Sequence, residues 1–252
     1  MKVITVTNQK GGTTKTSTAL YLTYGLANRG KHVLLIDLDQ QADASFSMHV
    51  AYDLEATTFQ VLTRKKKLED IIVKVNDAID LAPASSDLSQ LDLQLAGKID
   101  PQFILQDELE GVKYDYVIID TAPAINMALL NALTASQSVV VPVQADIYSL
   151  KGLKELATTV NSIKKRSNPE LKIAGILIAR YNSRTVFAKV ITAALEQVTS
   201  ELDTTVFNSK IREATSVKES QNAFQSIFEY DPKGKVTEDI NAFIDEFLEK
   251  EN

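Results

Sequence analysis

The strongest constraint on this chain lies at its start. Lys2-Val-Ile-Thr-Val-Thr7 is a short β-branched run that stops at Asn8-Gln-Lys-Gly-Gly-Thr-Thr-Lys15. From Thr16 to Arg29 the residues Ala19, Leu20, Leu22, Leu26 and Ala27 recur at helical spacing, and Gly30 follows where a helix end needs positive φ. His32-Val-Leu-Leu-Ile-Asp37 is a second apolar run, and it ends on carboxylates. Strand, glycine-bearing loop, helix and strand in succession make a βαβ unit, which implies a parallel sheet.

The alternation continues along the chain. Buried-type runs occur at Ala78–Leu81, Tyr116–Asp120, Ser138–Val143 and Ile173–Ile178. Helical patterns lie between or after them at Asp87–Ala96, Pro101–Leu109, Met127–Ala135, Leu150–Ile163 and Val186–Val198. Near-continuous apolar strands such as Val117-Ile-Ile suit a sheet covered on both faces. With 44% hydrophobic and 24% charged residues, no linker rich in Pro, Gly or Ser and no repeat, the expected fold is α/β. The arrangement expected is a doubly wound, mostly parallel sheet with helices on both faces, in one domain spanning residues 1–252.

Between the first strand and first helix, Gly11-Gly12-Thr13-Thr14-Lys15-Thr16-Ser17 sits where backbone N–H groups and a helix N-terminus surround an anion. Lys15 would neutralise β- and γ-phosphates and the Thr16 hydroxyl would ligate Mg²⁺. A plain Gly-rich turn with one lysine is the alternative, disfavoured by the flanking strand and helix. Asp120 ends the run Val117-Ile-Ile-Asp, at the sheet edge where ligands bind, and can hold Mg²⁺ through a water; an N-cap role is its alternative, and Pro123 argues for a loop over the site. Asp37 and Asp39 close the second strand on the same side of an extended segment. One would steady the magnesium shell and the other orient an attacking water, whereas Asp43 reads as a solvated loop acid.

Composition excludes other classes. Lys plus Arg number 27 against 33 Asp plus Glu, a net charge of −6, so any nucleic-acid binding must use a local patch. The chain has no Cys, which rules out disulfides, thiolate zinc and cysteine-held iron–sulfur clusters. With no spanning apolar run and no signal-peptide layout, a cytoplasmic location is expected.

Together these motifs resemble those of the ParA-type partition ATPases, the ParA/MinD group of deviant-Walker P-loop NTPases. The resemblance runs through Asn8-Gln-Lys-Gly-Gly-x-x-Lys-Thr16, Val33-Leu-Leu-Ile-Asp-Leu-Asp-x-Gln41, Tyr114-Asp-Tyr-Val-Ile-Ile-Asp-x-x-Pro123, Val140-Val-Pro-Val-Gln-Ala145 and Tyr230-Asp-Pro232. It implies ATP and Mg²⁺ as cofactors, slow partner-stimulated hydrolysis and an ATP-bound sandwich homodimer. It makes Lys10 the signature lysine reaching the other subunit's phosphates, Asp39 the switch aspartate and Asp120 the Walker B acid. It also places the Asn131 helix, the Pro142–Tyr148 loop and the Phe207–Ala214 segment, with Asn208, near the dimer interface and nucleotide pocket. The implied partners are nonspecific double-stranded DNA and a ParB-like centromere-binding protein, with nucleoid association. Arg184, Arg212, Lys210 and Lys189 are the DNA-contact candidates, with Arg180 and Lys218 beside them.

The sequence departs from the family pattern at two places. Thr14 stands where the family usually has Gly, which costs of order 1–3 kcal/mol if φ is positive there. Gln40 replaces a common Pro, leaving its loop less restrained. No extension precedes the first strand, so no operator-reading helix-turn-helix is expected. The tail Thr237–Asn252 is amphipathic but acidic on its polar face, which suits packing on the domain better than a MinD-like membrane anchor. A nucleotide-dependent scaffold with little or no hydrolysis remains the alternative function.

Overall fold

The computed structural model describes residues 1–50, 56–144, 146–181, 195, 199 and 203–251. Its elements in chain order are β1 (Lys2–Val6), α1 (Lys15–Ala27), β2 (Val33–Leu38), α2 (Asp43–Ser47), α3 (Thr58–Leu62), β3 (Val73–Lys74), β4 (Ile79–Ala82), α4 (Leu91–Leu95), α5 (Ile104–Leu109), β5 (Tyr116–Thr121), α6 (Met127–Ala135), β6 (Ser138–Val143), α7 (Ile147–Arg166), β7 (Lys172–Tyr181), β8 (Val206–Arg212), α8 (Thr215–Asn222), α9 (Ile227–Tyr230) and α10 (Lys235–Glu251).

The strands form one eight-stranded sheet in the order β3-β4-β2-β5-β1-β6-β7-β8. Every described pairing is parallel except β3 with β4. Side chains alternate between two covering layers, as the pleat requires. Ile4, Val33, Leu35 and Ile118 enter the core under α1 and α10, whereas Val3, Leu34, Ile36, Val117 and Ile119 enter the core of the opposite face with α3, α5 and α6. A third core joins β6 and β7 to α7 through Val139, Val141, Leu153, Leu156 and Ile176.

The register matters most at the carboxyl edge. Val6 pairs with Asp120, and Asp120 pairs with Asp37. The adjoining ends of β1, β2 and β5 therefore deliver the glycine loop and three carboxylates to one place. Order reverses around β1, whose neighbours β5 and β6 are consecutive strands, so this is the crevice where ligands bind doubly wound sheets.

Several expected elements shift. The pattern over Asp87–Ala96 resolves into a 3₁₀ turn at Ser86–Gln90 followed by α4, and Pro101–Leu109 into a 3₁₀ turn at Pro101–Phe103 followed by α5. Helix α7 begins earlier than Leu150, because the Asp146 carboxylate caps it by accepting from Ser149 N at 3.0 Å. The short antiparallel β3 was not anticipated. The Val186–Val198 pattern lies outside the described residues apart from Leu195, which is buried and helical. Helix α10 packs as expected, with Val236, Ile240, Phe243, Ile244 and Phe247 buried against α1 and β8.

Candidate nucleotide site

The loop between β1 and α1 is braced both from outside and from within. Asn8 Nδ2 donates to the Pro142 carbonyl at 2.7 Å, and Asn8 Oδ1 accepts from Lys10 N at 3.0 Å. Gln144 Nε2 donates to the Gly12 carbonyl at 2.6 Å, and the Thr13 hydroxyl donates to the Lys10 carbonyl at 3.1 Å. Gly12 has φ +75°, and a Cβ there would meet nothing within 4 Å, so the loop presents bare backbone to the crevice. Thr14 follows with φ 64° and ψ 27°, a left-handed conformation, and makes no side-chain cap on α1. The first turn of α1 carries no acidic residue, so its free N–H groups and dipole are available to an anion.

A cleft of about 540 Å³ opens above this loop, lined by Gly11 to Ser17, Leu38–Gln41, Asp43, Leu88, Ala122–Ala124 and Asn126. A smaller cavity of about 150 Å³ adjoins it; Thr14 and Ser17 line both, and Tyr21, Arg180, Ile211 and Arg212 also line the second.

Charge in the site is buried and poorly balanced. Lys15 is only 7% exposed; burial lowers its pKa while Asp120 and Asp39 pull the other way. Asp120 is fully buried, and neither carboxylate oxygen makes a hydrogen bond of ordinary geometry among the described residues, with the Thr16 hydroxyl and Lys15 its only favourable neighbours there. Burial raises its pKa well above the ordinary range, helped by the neighbouring Asp37, whereas the Thr16 hydroxyl and Lys15 oppose the rise. An unpaired buried carboxylate is costly to keep unless something else binds it. Together with the open glycine loop and Lys15 at a helix N-terminus, it fits a triphosphate with a divalent cation.

Asp39 lines the cleft, its backbone N–H donating to Asp37 Oδ1 and its own Oδ1 accepting from Gln41 N, each at 3.0 Å. Asp37, predicted beside it, is fully buried and does not line the cleft. Lys10 Nζ pairs with Asp146. Thus Gly11, Gly12, Thr13, Thr14, Lys15, Thr16, Ser17 and Asp39 line one crevice, and Lys10 stands at its side. Asp120, fully buried like Asp37, does not line it but lies next to Lys15 and Thr16.

The remaining predicted residues do not. Asn208 lines neither cavity; its backbone N–H donates to Glu246 Oε1 at 2.8 Å and its side-chain amide to the same oxygen at 3.2 Å. Arg212 is held by Asp239 through Nε at 2.6 Å and Nη2 at 2.7 Å, and Lys210 Nζ lies 4.9 Å from the Tyr181 ring centroid. Arg180 pairs with Glu213. Arg184 and Lys189 lie outside the described residues. Sequence reasoning reached Gln144 only as part of the Pro142–Tyr148 loop and assigned no role to Leu88 or Asn126. Asn126 had a readable signal, an N-cap amide before an apolar helix that accepts from Leu129 N at 2.9 Å; Leu88 gave none.

A glycine loop on a parallel strand, a buried lysine and an orphaned carboxylate on the neighbouring strand define a P-loop nucleotide-binding protein. A family model described as an AAA domain matches residues 1–173. The chain is 35% identical over 241 residues to the sporulation initiation inhibitor protein Soj of Bacillus subtilis, covering 94% of each. It is 30% identical over 254 residues to the chromosome partitioning protein ParA of Myxococcus xanthus, covering 99% of this chain and 89% of that one. Among solved structures, cobyrinic acid a,c-diamide synthase from Mycobacterium smegmatis with bound ADP and magnesium matches with a TM-score of 0.85 at 28% identity, covering 98% of this chain and 94% of that one. The chain belongs to this AAA-domain family, in its ParA-type partition ATPase branch.

Proposed function

We propose that residues 1–252 act as one ATP-dependent DNA partition ATPase, whose nucleotide-bound homodimer binds DNA without sequence preference and is released when a ParB-like centromere-binding protein stimulates hydrolysis. The observation that carries this reading is Asp120, a fully buried carboxyl whose charge only Thr16 and Lys15 of the Gly11–Thr16 loop favour among the described residues. Membership of the ParA-type branch supports the rest.

Lys15 and the backbone N–H groups of the loop hold the β- and γ-phosphates. The smaller cavity beyond Thr14 takes the adenosine end. Magnesium, when bound, neutralises charge on the β- and γ-phosphates; Thr16 and Asp120, with Asp39 near, are the residues that would hold it. Asp39 orients a water for in-line attack on the γ-phosphorus, the bond to ADP breaks, and inorganic phosphate leaves. The partner's Lys10 supplies a cation to the charge that develops, as an arginine finger does in trans. In the free protomer Lys10 is occupied with Asp146, so its transfer across a dimer exchanges one carboxylate for a triphosphate.

One observation favours a second reading, a nucleotide-dependent scaffold with little turnover: Thr14 holds the loop in a left-handed conformation at a cost of about 1–3 kcal/mol. Nucleotide affinity and partner-stimulated phosphate release, measured on wild type, Lys15→Ala and Asp39→Ala, separate the two. The ATPase reading expects Lys15→Ala to lose ATP binding at least about 100-fold, on the order of a lost charge-assisted phosphate contact, and Asp39→Ala to bind ATP but not turn it over. Tight ATP binding by wild type with no stimulated release selects the scaffold.

A further inference from the structure

The two aspartates that close β2 look equivalent in sequence, yet their surroundings differ. Asp39 reaches the cleft; Asp37 is fully buried behind it. Among the described residues, backbone and side-chain donors of Asp39 and Ser45 hold the Asp37 carboxylate. Oδ2 accepts from Ser45 N at 2.9 Å and from Ser45 Oγ at 2.7 Å, and Oδ1 accepts from Asp39 N at 3.0 Å. The Asp37 carbonyl accepts from Thr58 Oγ1 at 2.9 Å. Ser45 Oγ accepts in turn from Ala84 N at 3.0 Å.

These bonds form one buried chain from Ala84, through Ser45 and Asp37, to the backbone of Asp39. It ties Asp39 to a second part of the cleft lining, because Ala84 leads into the turn that carries Leu88, which also lines the cleft. Between the ends of that chain the backbone is under tension: Ala42 sits at φ 54° while its N–H closes a turn on the Asp39 carbonyl at 2.9 Å. A non-glycine residue persists at such a φ only where the surroundings over-determine it, and the Asp37–Ser45 bonds supply that restraint. Three of the carboxylate's roughly four acceptor sites are already taken by N–H and O–H donors, which leaves little to offer a cation.

We propose that Asp37 is a positioning residue rather than a magnesium ligand: through Ser45 it latches α2 and the Asp39–Ala42 turn to the Ala84–Leu88 wall, fixing where Asp39 stands in the cleft. This rests on the ATPase reading, in which Asp39 orients the attacking water.

The test compares wild type, Ser45→Ala, Asp37→Asn and Asp39→Ala by three measurements: partner-stimulated phosphate release, Mg²⁺ half-saturation of ATP-analogue binding, and amide exchange of residues 38–46 in the nucleotide-free protein. Ser45→Ala should lower turnover about tenfold, one lost buried hydrogen bond's worth of positioning, and speed exchange in 38–46, while Mg²⁺ half-saturation stays within threefold of wild type. Asp37→Asn should repeat this pattern more strongly. Ser45→Ala with wild-type turnover or wild-type exchange overturns the latch, and so does Asp37→Asn raising Mg²⁺ half-saturation tenfold or more. If Asp39→Ala turns over ATP like wild type, the ATPase reading itself fails; exchange in 38–46 still reports on the latch.

Discussion

Thr14 shows how a single residue can set function against stability. Its φ of 64° and ψ of 27° are where glycine sits without cost and a β-branched residue does not. Thr14→Gly should therefore stabilise the nucleotide-free protein by a net of about 1 kcal/mol, strain relieved less the entropy glycine loses on folding, read as a higher urea midpoint. A fall in the midpoint would show that the threonine side chain contributes more than its backbone costs. Asp120 makes the same point through charge. Burial raises the pKa of Asp37 to about 6 and that of Asp120 well above the ordinary range. The folded protein then keeps protons that the unfolded chain releases near pH 4, so these two groups make stability fall as pH rises from about 4 to 6 and beyond. Asp120→Asn should flatten that slope and raise the nucleotide-free melting temperature at pH 7, while abolishing Mg²⁺-dependent stabilisation by ATP. An unchanged slope would place the buried charge elsewhere.

At the scale of elements, the packing of α10 on α1 leaves no room at Gly25. A Cβ there would lie 2.7 Å from Ile244 Cγ1, and Ile244 is fully buried. Gly25→Ala improves helix propensity by about 1 kcal/mol yet should destabilise the protein by about 1–3 kcal/mol through overpacking. Calorimetry decides: a higher melting temperature would mean that α10 yields easily. The elements most legible in the sequence were those whose signal is local. The runs Val33-Leu-Leu-Ile and Val117-Ile-Ile read as buried strands, and the spacing from Ala19 to Ala27 read as a helix, because each buries its own pattern. Less was legible where a partner decides the outcome. Nothing in Val73-Lys74 marks it as a strand apart from β4 beside it. Asp37 and Asp39 obey the same alternation, and only Ser45, eight residues on, diverts Asp37 from the cleft. The glycine loop, Lys15 and Asp120 stand out in the sequence because phosphate binding, the role proposed for them, restricts residue types and spacing. Asn208 does not, and Glu246 on α10 claims it.

For the whole molecule, the balance of charge governs the proposed interaction with DNA. A net charge of −6 opposes binding by a lone protomer, and the described candidates are partly spent, Arg212 on Asp239 and Arg180 on Glu213. Pairing two copies doubles the phosphate contacts available, and affinity for duplex DNA should then fall with salt at a slope of about −0.9 per contact. Titrations of random-sequence duplex with ATP should show that steep slope, with only weak, shallow binding in its absence. Equal binding without nucleotide would contradict assembly as the switch. The most direct measurement is the solution mass, by light scattering, of protein saturated with magnesium and a nonhydrolysable ATP analogue. The account predicts a doubling of mass that Lys15→Ala abolishes; a wild-type protein that binds the analogue and stays at the mass of one chain would contradict it.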